Sequence, residues 1–552
     1  MSSAPGSRTI APGLVLPGLL AETEQTALLV DAEIYYASFC RAALLARRYI
    51  YLAGWQFDSL ARLLRPDPEE QLTHPIELLP FLEYLCERTP QLQVFILAWD
   101  YSLFYALERE WLQKLKFKFQ SHPRVHFEFS SHPGMGGCLH QKYVLIDDRL
   151  AFLGGLDVCD SRWDTRAHRA QDPARSDVHG NPYKAFHDIQ VALRGPVVRR
   201  LKQFFRESWE RVQSDELAPS QPAPLQSVSS QRVLAEPAPA PLAQQVLPAE
   251  PARPEAEAEA GSAAGSDANT GASPDSAFDL GRITAQRGLF LSATRVGLSR
   301  TDITCAGAPA RLEVQLLFER AILSARRLIY VETQYFTSRV MAQAFCRRFA
   351  DATAGPLDVV LVMPDGADTP KEDLVLGARQ RAVRHLVAQE AARHGHRFRL
   401  LKSAQSSHEQ APPATFIHSK LLIVDDELLS VGSANLTNRS MSLDTELNVT
   451  CATALEQPAC AARLRAEIAT IRADLLAEHA GYESPQAFLA LEQLIERIDE
   501  ACLDPASKLR QQQIVPPESE NQLLSAIFDP ARPLDWESVE LSLGSAGEWL
   551  RP

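Results

Sequence analysis

Two copies of one short motif restrict the folds that this chain can adopt. A histidine, a lysine two residues later and a pair of aspartates begin at His140 in the first half and again at His418 in the second. In both copies a glycine follows at the same distance, at Gly154 and Gly432 (154 − 140 = 14 and 432 − 418 = 14). Equal spacing beyond the motif indicates that a whole structural unit is repeated.

The segments around the motif repeat as well. Residues 46–51 correspond to residues 325–330, and the apolar run at 92–100 corresponds to the run at 357–365. Such runs are typical of buried strands, and helical periodicity lies between them. The sequence therefore predicts an α/β fold. We expect two similar lobes from a duplicated domain, each with a mixed sheet flanked by helices, packed about a pseudo-two-fold axis in a monomer.

Composition divides the chain further. Between the lobes Pro, Ala, Glu, Ser and Gln dominate, and so few apolar side chains are typical of disorder. After the second lobe the periodicity is mostly helical. The predicted division is an N-terminal extension (1–25), a first lobe (26–212), a low-complexity linker or insertion expected to be disordered (213–280), a second lobe (281–457) and a C-terminal helical region (458–552).

Net charge and the length of the apolar runs restrict how this chain can interact with nucleic acids and membranes. The formal net charge is −13, which disfavours nucleic acid because its binders usually present basic domains. No apolar run approaches the roughly 20 residues needed to cross a bilayer. The N-terminal apolar run is broken by Pro12 and Pro17, so no signal peptide is predicted. Any contact with lipid is therefore expected to be peripheral.

The motif suits chemistry on a phosphodiester. On a strand, a histidine and a lysine two residues apart point to the same face. If the lobes face each other, His140 with Lys142 meets His418 with Lys420. One histidine can attack phosphorus, the other can protonate the leaving oxygen, and the lysines can hold the non-bridging oxygens. This chemistry requires no metal or other cofactor.

The aspartates that complete the motif, Asp147 and Asp425, belong to the catalytic candidates by their place in it. Each lies at an odd offset from its lysine (147 − 142 = 5 and 425 − 420 = 5), which turns its side chain to the other face of a strand. A structural role, capping a turn or pairing with backbone, is therefore favoured for both.

Segments beyond the motifs supply the remaining candidates. A histidine-based site needs carboxylates that orient the imidazoles and stabilise the imidazolium. Asp188 in the first lobe and Glu446 in the second are the candidates for this role. Asn435 and Ser433, in the turn after the second motif, are candidates for binding the phosphate.

These residues resemble those of the phospholipase D superfamily. Ala151–Asp164 resembles the segment after the first motif in phosphatidylcholine-type enzymes of that family, and Ile329–Phe336 resembles a strand between their motifs. Gly432–Met441 and Asp444–Glu446 resemble the segment after the second motif. The sequence departs from the family at Thr333, where asparagine is frequent.

The resemblance implies two α/β lobes with the site between them and a covalent phosphohistidine intermediate. It covers about residues 27–212 and 289–450. By analogy His140 is the nucleophile and His418 the general acid. The implied phosphate ligands are Lys142, Lys420 and Asn435, and the implied histidine-orienting residues are Asp188 and Glu446.

Several functions fit this family. The first is a phospholipase D that acts at a membrane surface, releases phosphatidic acid and free head group, and can transfer to alcohols. The second is a cardiolipin synthase-type phosphatidyltransferase, although such relatives usually begin with membrane spans. A nuclease fits less well because those relatives are often short, basic and single-motif, and an inactive binding module disagrees with the two intact motifs. The expected location is the cytoplasm, a membrane periphery, or outside the cell through a dedicated secretion system.

Overall fold

Two mixed β-sheets organise the computed structural model, which describes residues 18–65, 72–100, 116–117, 121–130, 137–217, 274–303, 310–366, 373–404, 414–516 and 529–530. The elements of the first half are β1 (Leu19–Glu22), β2 (Gln25–Val30), α1 (Asp31–Ala43), β3 (Tyr49–Gly54), α2 (Leu78–Arg88), β4 (Gln93–Trp99), β5 (Val125–Ser130), β6 (Tyr143–Ile146), β7 (Leu150–Gly154), β8 (Phe186–His187), β9 (Ile189–Arg194) and α3 (Val197–Leu217).

The second half repeats this alternation and then adds helices. Its elements are α4 (Leu280–Ile283), β10 (Leu289–Leu291), β11 (Arg295–Asp302), β12 (Arg311–Leu312), α5 (Glu313–Ser324), β13 (Leu328–Glu332), α6 (Arg339–Ala350), β14 (Asp358–Val362), α7 (Ala378–Arg393), β15 (Arg397–Ser403), β16 (Phe416–Ile417), β17 (Leu421–Val424), β18 (Leu428–Gly432), α8 (Asn438–Ser442), β19 (Glu446–Ala452), α9 (Pro458–Ala480), α10 (Leu494–Leu503) and β20 (Leu509–Gln511).

The two sheets share one strand order. The first is β10-β2-β9-β7-β6-β3-β4-β5, and the second is β1-β11-β19-β18-β17-β13-β14-β15-β20, with β12 beside β11. In each sheet three consecutive strands are parallel, β3-β4-β5 and β13-β14-β15, while the other pairs are antiparallel. The predicted fold class, duplicated α/β lobes with mixed sheets, is confirmed.

The two halves exchange their first strands. β1 pairs with β11 in the second sheet, and β10 pairs with β2 in the first. β1 comes from the predicted N-terminal extension and β10 from the predicted second lobe, so the exchange crosses the predicted boundaries. Because each sheet is completed by a strand of the other half, the lobes are joined by backbone hydrogen bonds as well as by packing.

Three apolar clusters hold the layers together. One lies between the sheets and joins Leu145 of the first, Ile423 of the second and Ile468 of α9. The second lies under α1 and α2 on the outer face of the first sheet, and the third lies under α5, α6 and α7 on the second. Central strands are thus covered on both faces, which explains unbroken apolar runs such as Leu421–Val424.

The predicted helical region after the second lobe contains α9 and α10, but β20 then adds an antiparallel edge strand beside β15. The predicted linker lies mostly outside the described residues, since α3 continues to Leu217 and the description resumes at Pro274. Among the described residues, no helix combines the length and apolar character needed to cross a bilayer.

Asp147 and Asp425 fasten the turn after each motif to a neighbouring strand. Asp147 accepts hydrogen bonds of 2.6, 2.8 and 2.9 Å from the backbone N–H groups of residues 47–49. Asp425 accepts equivalent bonds of 2.8, 2.8 and 2.9 Å from residues 326–328. Their place in the motif made them catalytic candidates, but the structure directs both carboxylates to backbone where a parallel strand begins, and not to the histidines.

Replacing Asp147 by alanine is expected to destabilise the fold while leaving the chemistry intact. The change removes the acceptor of three backbone N–H groups, and a buried donor left without a partner costs about 1–3 kcal/mol. Urea denaturation should show the loss as a lower midpoint. Glu210→Ala is the control, because Glu210 is exposed and, within the described part of the chain, its carboxylate pairs only with Arg206 one helical turn away. Equal midpoints for the two variants would contradict the anchoring role.

Candidate active site

The segments that carry the motif histidines each lie beside a segment of the opposite half. β16 pairs in parallel with β8, and the N–H of His418 donates to the carbonyl of His187 at 2.8 Å. In the same way Leu139 forms a parallel bridge with Thr445, and the N–H of His140 donates to the carbonyl of Thr445 at 3.1 Å. These two short pairings bring both motifs to one place between the lobes.

The histidines and the candidate carboxylates are paired crosswise. His140 Nδ1 lies 3.0 Å from both carboxylate oxygens of Glu446, which belongs to the second half. His418 Nδ1 lies 2.6 Å from Oδ2 of Asp188, which belongs to the first half. Glu446 and Asp188 are fully buried, whereas the histidine side chains keep 17% and 13% of their surface exposed. A carboxylate at Nδ1 favours the tautomer with the proton there, which leaves Nε2 as the reactive atom.

The two lysines lie against the backbone of their own motifs. Lys142 Nζ donates to the carbonyl of His140 at 3.0 Å, and Lys420 Nζ donates to the carbonyl of His418. Lys142 also lies 3.3 Å from a carboxylate oxygen of Asp157, whereas the position equivalent to Asp157 in the second half is the neutral Asn435. The two halves of the site therefore differ in local charge.

Burial and the lysines hold the pKa of both histidines well below its usual value. For His140 the causes are loss of water and then the charges of Lys142 and Lys420. For His418 they are loss of water and then the charges of Lys420 and Arg162. Both imidazoles are therefore neutral at neutral pH before substrate arrives, and a neutral imidazole is the form that can attack phosphorus.

The groups around the histidines titrate unusually close together. Burial raises the pKa of Glu446 to about 7 and that of Asp188 to about 7. Burial lowers the pKa of Lys420 to about 7, although the charge of Asp188 opposes this shift. Several buried groups with shifted pKa values in one place are typical of functional sites.

Ser433 and Asn435 are placed differently from one another. Ser433 was predicted to bind phosphate, but its hydroxyl donates to Glu446 Oε2, so it supports a histidine-orienting carboxylate instead. Asn435 Oδ1 lies 3.3 Å from the hydroxyl of Thr333, whose nearer acceptor is the carbonyl of Tyr335 at 3.0 Å. Threonine, at the family's frequent asparagine position, therefore contacts Asn435.

Gly155 stands where Ser433 stands in the second half, and its missing side chain makes room for a carboxylate. A Cβ atom at Gly155 would lie 2.3 Å from Oδ1 of Asp188, closer than any side chain tolerates. The two carboxylates are thus held differently. The carboxylate of Glu446 accepts a hydrogen bond from the hydroxyl of Ser433. The carboxylate of Asp188 occupies the space beside Gly155 and accepts a hydrogen bond of 2.7 Å from the backbone N–H of Ile189.

Known proteins are similar to this chain in sequence. Residues 318–471 match the family model described as cardiolipin synthase, PLD-like domain. Phospholipase D1 of Saccharomyces cerevisiae is 22% identical over 483 residues, which cover 75% of this chain and 26% of that protein. Cardiolipin synthase 2 of Staphylococcus epidermidis is 31% identical over 136 residues, which cover 25% of this chain and 23% of that protein. These similarities support the phospholipase D superfamily as the family of this chain.

The match to the superfamily model includes the second motif and Glu446. The chain spans about a quarter of the length of the two curated relatives. Among solved structures, the phosphatidylserine synthase of Haemophilus influenzae Rd KW20 superposes with a TM-score of 0.47 at 11% identity, covering 90% of this chain and 99% of that one.

Arg162 is a site residue that the motif analysis did not select. Its guanidinium lies over the ring of Phe186 at 4.9 Å, and that ring lies 5.2 Å from the ring of His418. Among the described residues, Arg162 makes no hydrogen bond or ion pair. The sequence feature that could have identified Arg162 is its position within Ala151–Asp164, the segment that resembles the superfamily. Its place beside His418 depends on the docking of the two halves and is not visible in local sequence.

Proposed function

We propose that the chain is a phospholipase D-type phosphodiesterase, which hydrolyses glycerophospholipids to phosphatidic acid and a free head group. The observation that carries the proposal is the crossed pair of histidines, each held by a buried carboxylate of the other half, with a lysine beside each. Such a site supplies a nucleophile, an acid and positive charge for one phosphodiester. The names of the two curated relatives support a phospholipid substrate, and the net charge of −13 disfavours nucleic acid.

The proposed reaction has two displacements at phosphorus. Nε2 of His140 attacks, the bond to the head-group oxygen breaks, and His418 gives that oxygen its proton. The head group leaves as an alcohol, and the phosphatidyl group remains on His140. Water then attacks phosphorus, its proton passes to His418, and the P–N bond breaks to release phosphatidic acid. An alcohol in place of water gives a transphosphatidylated lipid.

The charges around the site assist both steps. Lys142 and Lys420 flank the histidines and can stabilise the charge that develops on the non-bridging oxygens, and Asn435 can donate a further hydrogen bond. His418 must carry a proton to act as an acid, although burial and nearby cations lower its pKa in the free protein. The negative charge of a bound phosphodiester raises this pKa and favours the protonated form.

A second candidate is a phosphatidyltransferase of the cardiolipin synthase type. The family model at residues 318–471 and the Staphylococcus epidermidis relative favour it. The first displacement would be the same, and the hydroxyl of a second lipid would replace water in the second. The two candidates therefore differ in the acceptor and not in the residues that act.

One experiment separates these candidates. The purified chain is incubated, without added metal, with mixed vesicles of phosphatidylcholine and phosphatidylglycerol and with ethanol, and all lipids are identified by mass spectrometry. Phosphatidic acid and phosphatidylethanol are the expected products, whereas cardiolipin would support the second candidate. Cleavage of bis(p-nitrophenyl) phosphate without any new lipid would overturn the choice of substrate but not the chemistry.

Replacing Arg162 by leucine is expected to lower kcat/KM for anionic lipid diesters on the order of 100-fold, as for loss of a charged donor at a reacting phosphate. Arg162→Lys should recover part of this loss because it keeps the charge but not the planar guanidinium. The control is Arg200→Leu, since Arg200 lies exposed on α3. Steady-state rates on vesicles measure all three variants. An unchanged kcat/KM in Arg162→Leu would remove Arg162 from the substrate site.

A further inference from the structure

A second group of ionisable side chains lies behind the histidine pair. It consists of Asp31 at the start of α1, His168 in the loop after β7, His187 on β8 and Glu478 on α9. All four are buried, with at most 8% of their surface exposed. One oxygen or nitrogen atom from each lies within 4.8 Å of the others. None of the four takes part in the proposed reaction.

In each histidine of this group, one ring nitrogen lies beside a carboxylate that is not one of the four residues. His168 Nδ1 lies 3.0 Å from Asp164, and His187 Nε2 lies 3.0 Å from Glu332. The opposite nitrogen of each ring therefore faces the centre of the group. Histidines that bind metals are typically held in this way, with the second ring nitrogen donating to a carboxylate.

The inward-facing atoms are close to the spacing of a coordination shell. His168 Nε2 lies 3.3 Å from Asp31 Oδ2 and within hydrogen-bonding distance of Glu478 Oε1, at 3.1 Å. His187 Nδ1 lies 3.1 Å from the other oxygen of Asp31, Oδ1, and 3.0 Å from Glu478 Oε1. Ligands about 2.0–2.1 Å from a tetrahedral zinc ion are separated by roughly 3.3 Å.

Two of these inward atoms lack a hydrogen-bond partner. His187 Nδ1 and Asp31 Oδ2 are fully buried, and neither forms a well-directed hydrogen bond within the described part of the chain. A buried polar atom without a partner is costly. An imidazolium would direct its N–H at one oxygen, whereas His187 Nδ1 lies almost equally far from two. This geometry fits an electron pair that points to a shared central ion.

With neutral histidines, the form that binds a metal ion, the surrounding network has a deficit of positive charge. The four buried carboxylates are Asp31, Asp164, Glu332 and Glu478. Arg175 pairs with Asp164 at 3.1 Å and Arg166 pairs with Glu478 at 2.5 Å. Two negative charges then remain among these buried side chains, and one divalent cation would balance them.

We propose that Asp31, His168, His187 and Glu478 bind one divalent first-row metal ion, for which zinc is the best match. Two imidazoles and two carboxylates suit zinc better than magnesium or calcium, which prefer oxygen ligands alone. The neighbouring trio of His187, Glu332 and His479 is a poorer site. The carboxylate of Glu332 already accepts from Tyr330 at 2.6 Å and from Ser419 at 2.5 Å.

The ion would connect α9, the first long helix after the second lobe, to the histidine pair. Glu478 belongs to α9, and His187 directly precedes Asp188, which holds His418. The backbone N–H of Asp31 donates to the carbonyl of Asp188 at 2.8 Å, and the backbone N–H of Asp188 donates to Asp31 Oδ1 at 3.2 Å. The metal is therefore structural, and it fixes the position of Asp188 without touching substrate.

The test measures metal content and stability, so it is independent of the proposed lipid chemistry. The full chain, purified without a metal-chelating tag, is analysed by inductively coupled plasma mass spectrometry. Stoichiometric zinc is expected. Refolding with a strong chelator should lower Tm, and zinc but not magnesium should restore it. Reconstitution with cobalt(II) should give the intense visible absorption of a tetrahedral site.

Variants locate the site. His168→Gln and Glu478→Gln are expected to hold at least about tenfold less zinc and to lose the cobalt spectrum. His479→Gln lies in the same buried network but outside the four ligands, and it should keep both. The proposal is overturned if the wild-type chain holds only trace metal and gives no tetrahedral cobalt spectrum, which does not depend on variant folding. Zinc lost from His479→Gln and kept by His168→Gln would also overturn it.

Discussion

Replacing His140 by asparagine is expected to abolish the covalent phosphoenzyme and to lower turnover by about 10⁴-fold or more. Asparagine cannot attack phosphorus, yet its short polar side chain fits the space next to Glu446, so the fold should persist. The measurement uses a p-nitrophenyl phosphodiester of a lipid labelled with ³²P at phosphorus. After rapid acid-free quenching, the labelled wild-type protein should be visible on a gel, and the variant should carry no label.

His418→Asn should behave differently with the same substrate. p-Nitrophenol leaves without a proton, so attack by His140 no longer needs a general acid. The second step still needs His418 to accept a proton from water. The variant should therefore release p-nitrophenol in a burst equivalent to the enzyme present and then stall with the label attached.

The control for both variants is His126→Asn. His126 lies on β5, where its ring contacts Gln93 at 2.9 Å, and its replacement should leave burst and turnover unchanged. A burst in His140→Asn with none in His418→Asn would reverse the two roles. A burst in neither variant would show that both histidines are needed for the first step.

Local sequence patterns were sufficient for much of the framework. Apolar runs within the repeated segments 46–51 and 92–100 predicted strands, and the structure has β3 at Tyr49–Gly54 and β4 at Gln93–Trp99. Strand periodicity also predicted that Asp147 faces away from its lysine. These features depend on neighbours a few residues apart, where side-chain alternation and burial are directly visible in the sequence.

Features that arise between the halves were not predictable in this way. The pairing of His140 with Glu446 joins residues 306 positions apart, and it depends on how two complete sheets dock. The exchanged strands β1 and β10 have only 4 and 3 residues, too few for periodicity to indicate a partner. Ser433 was predicted to bind phosphate, because a hydroxyl beside the motif can donate to a phosphate or to a carboxylate. Only the docked structure shows that this hydroxyl donates to Glu446.

Replacing Glu446 by glutamine is expected to lower kcat by about 10⁴-fold, as when a histidine loses its orienting carboxylate, with little change in KM. Glutamine has nearly the same shape, but its NH₂ group can donate to Nδ1 of His140. The imidazole proton then moves to Nε2, the atom that must attack phosphorus. Glu446 is thus a positioning residue for a histidine of the other half. A fall in stability without the selective loss of kcat would contradict this role.

Ser433→Ala provides a milder and pH-dependent version of the same change. The hydroxyl of Ser433 donates to Glu446 and lowers its pKa, so its removal should raise that pKa above its present value of about 7. Lys142 and Lys420 also lower the pKa of Glu446, and they remain in the variant, which limits the shift.

Because the carboxylate form of Glu446 is the one that orients His140, activity rises with pH as Glu446 ionises. In Ser433→Ala the acidic limb of the kcat profile should therefore move to higher pH, and activity should return towards the wild-type value on the alkaline side. Glu446→Gln should remain inactive at every pH, and Ser484→Ala, at an exposed serine, should match wild type. A loss in Ser433→Ala that is equal at all pH values would instead mean that the hydroxyl holds Glu446 in place and does not set its ionisation.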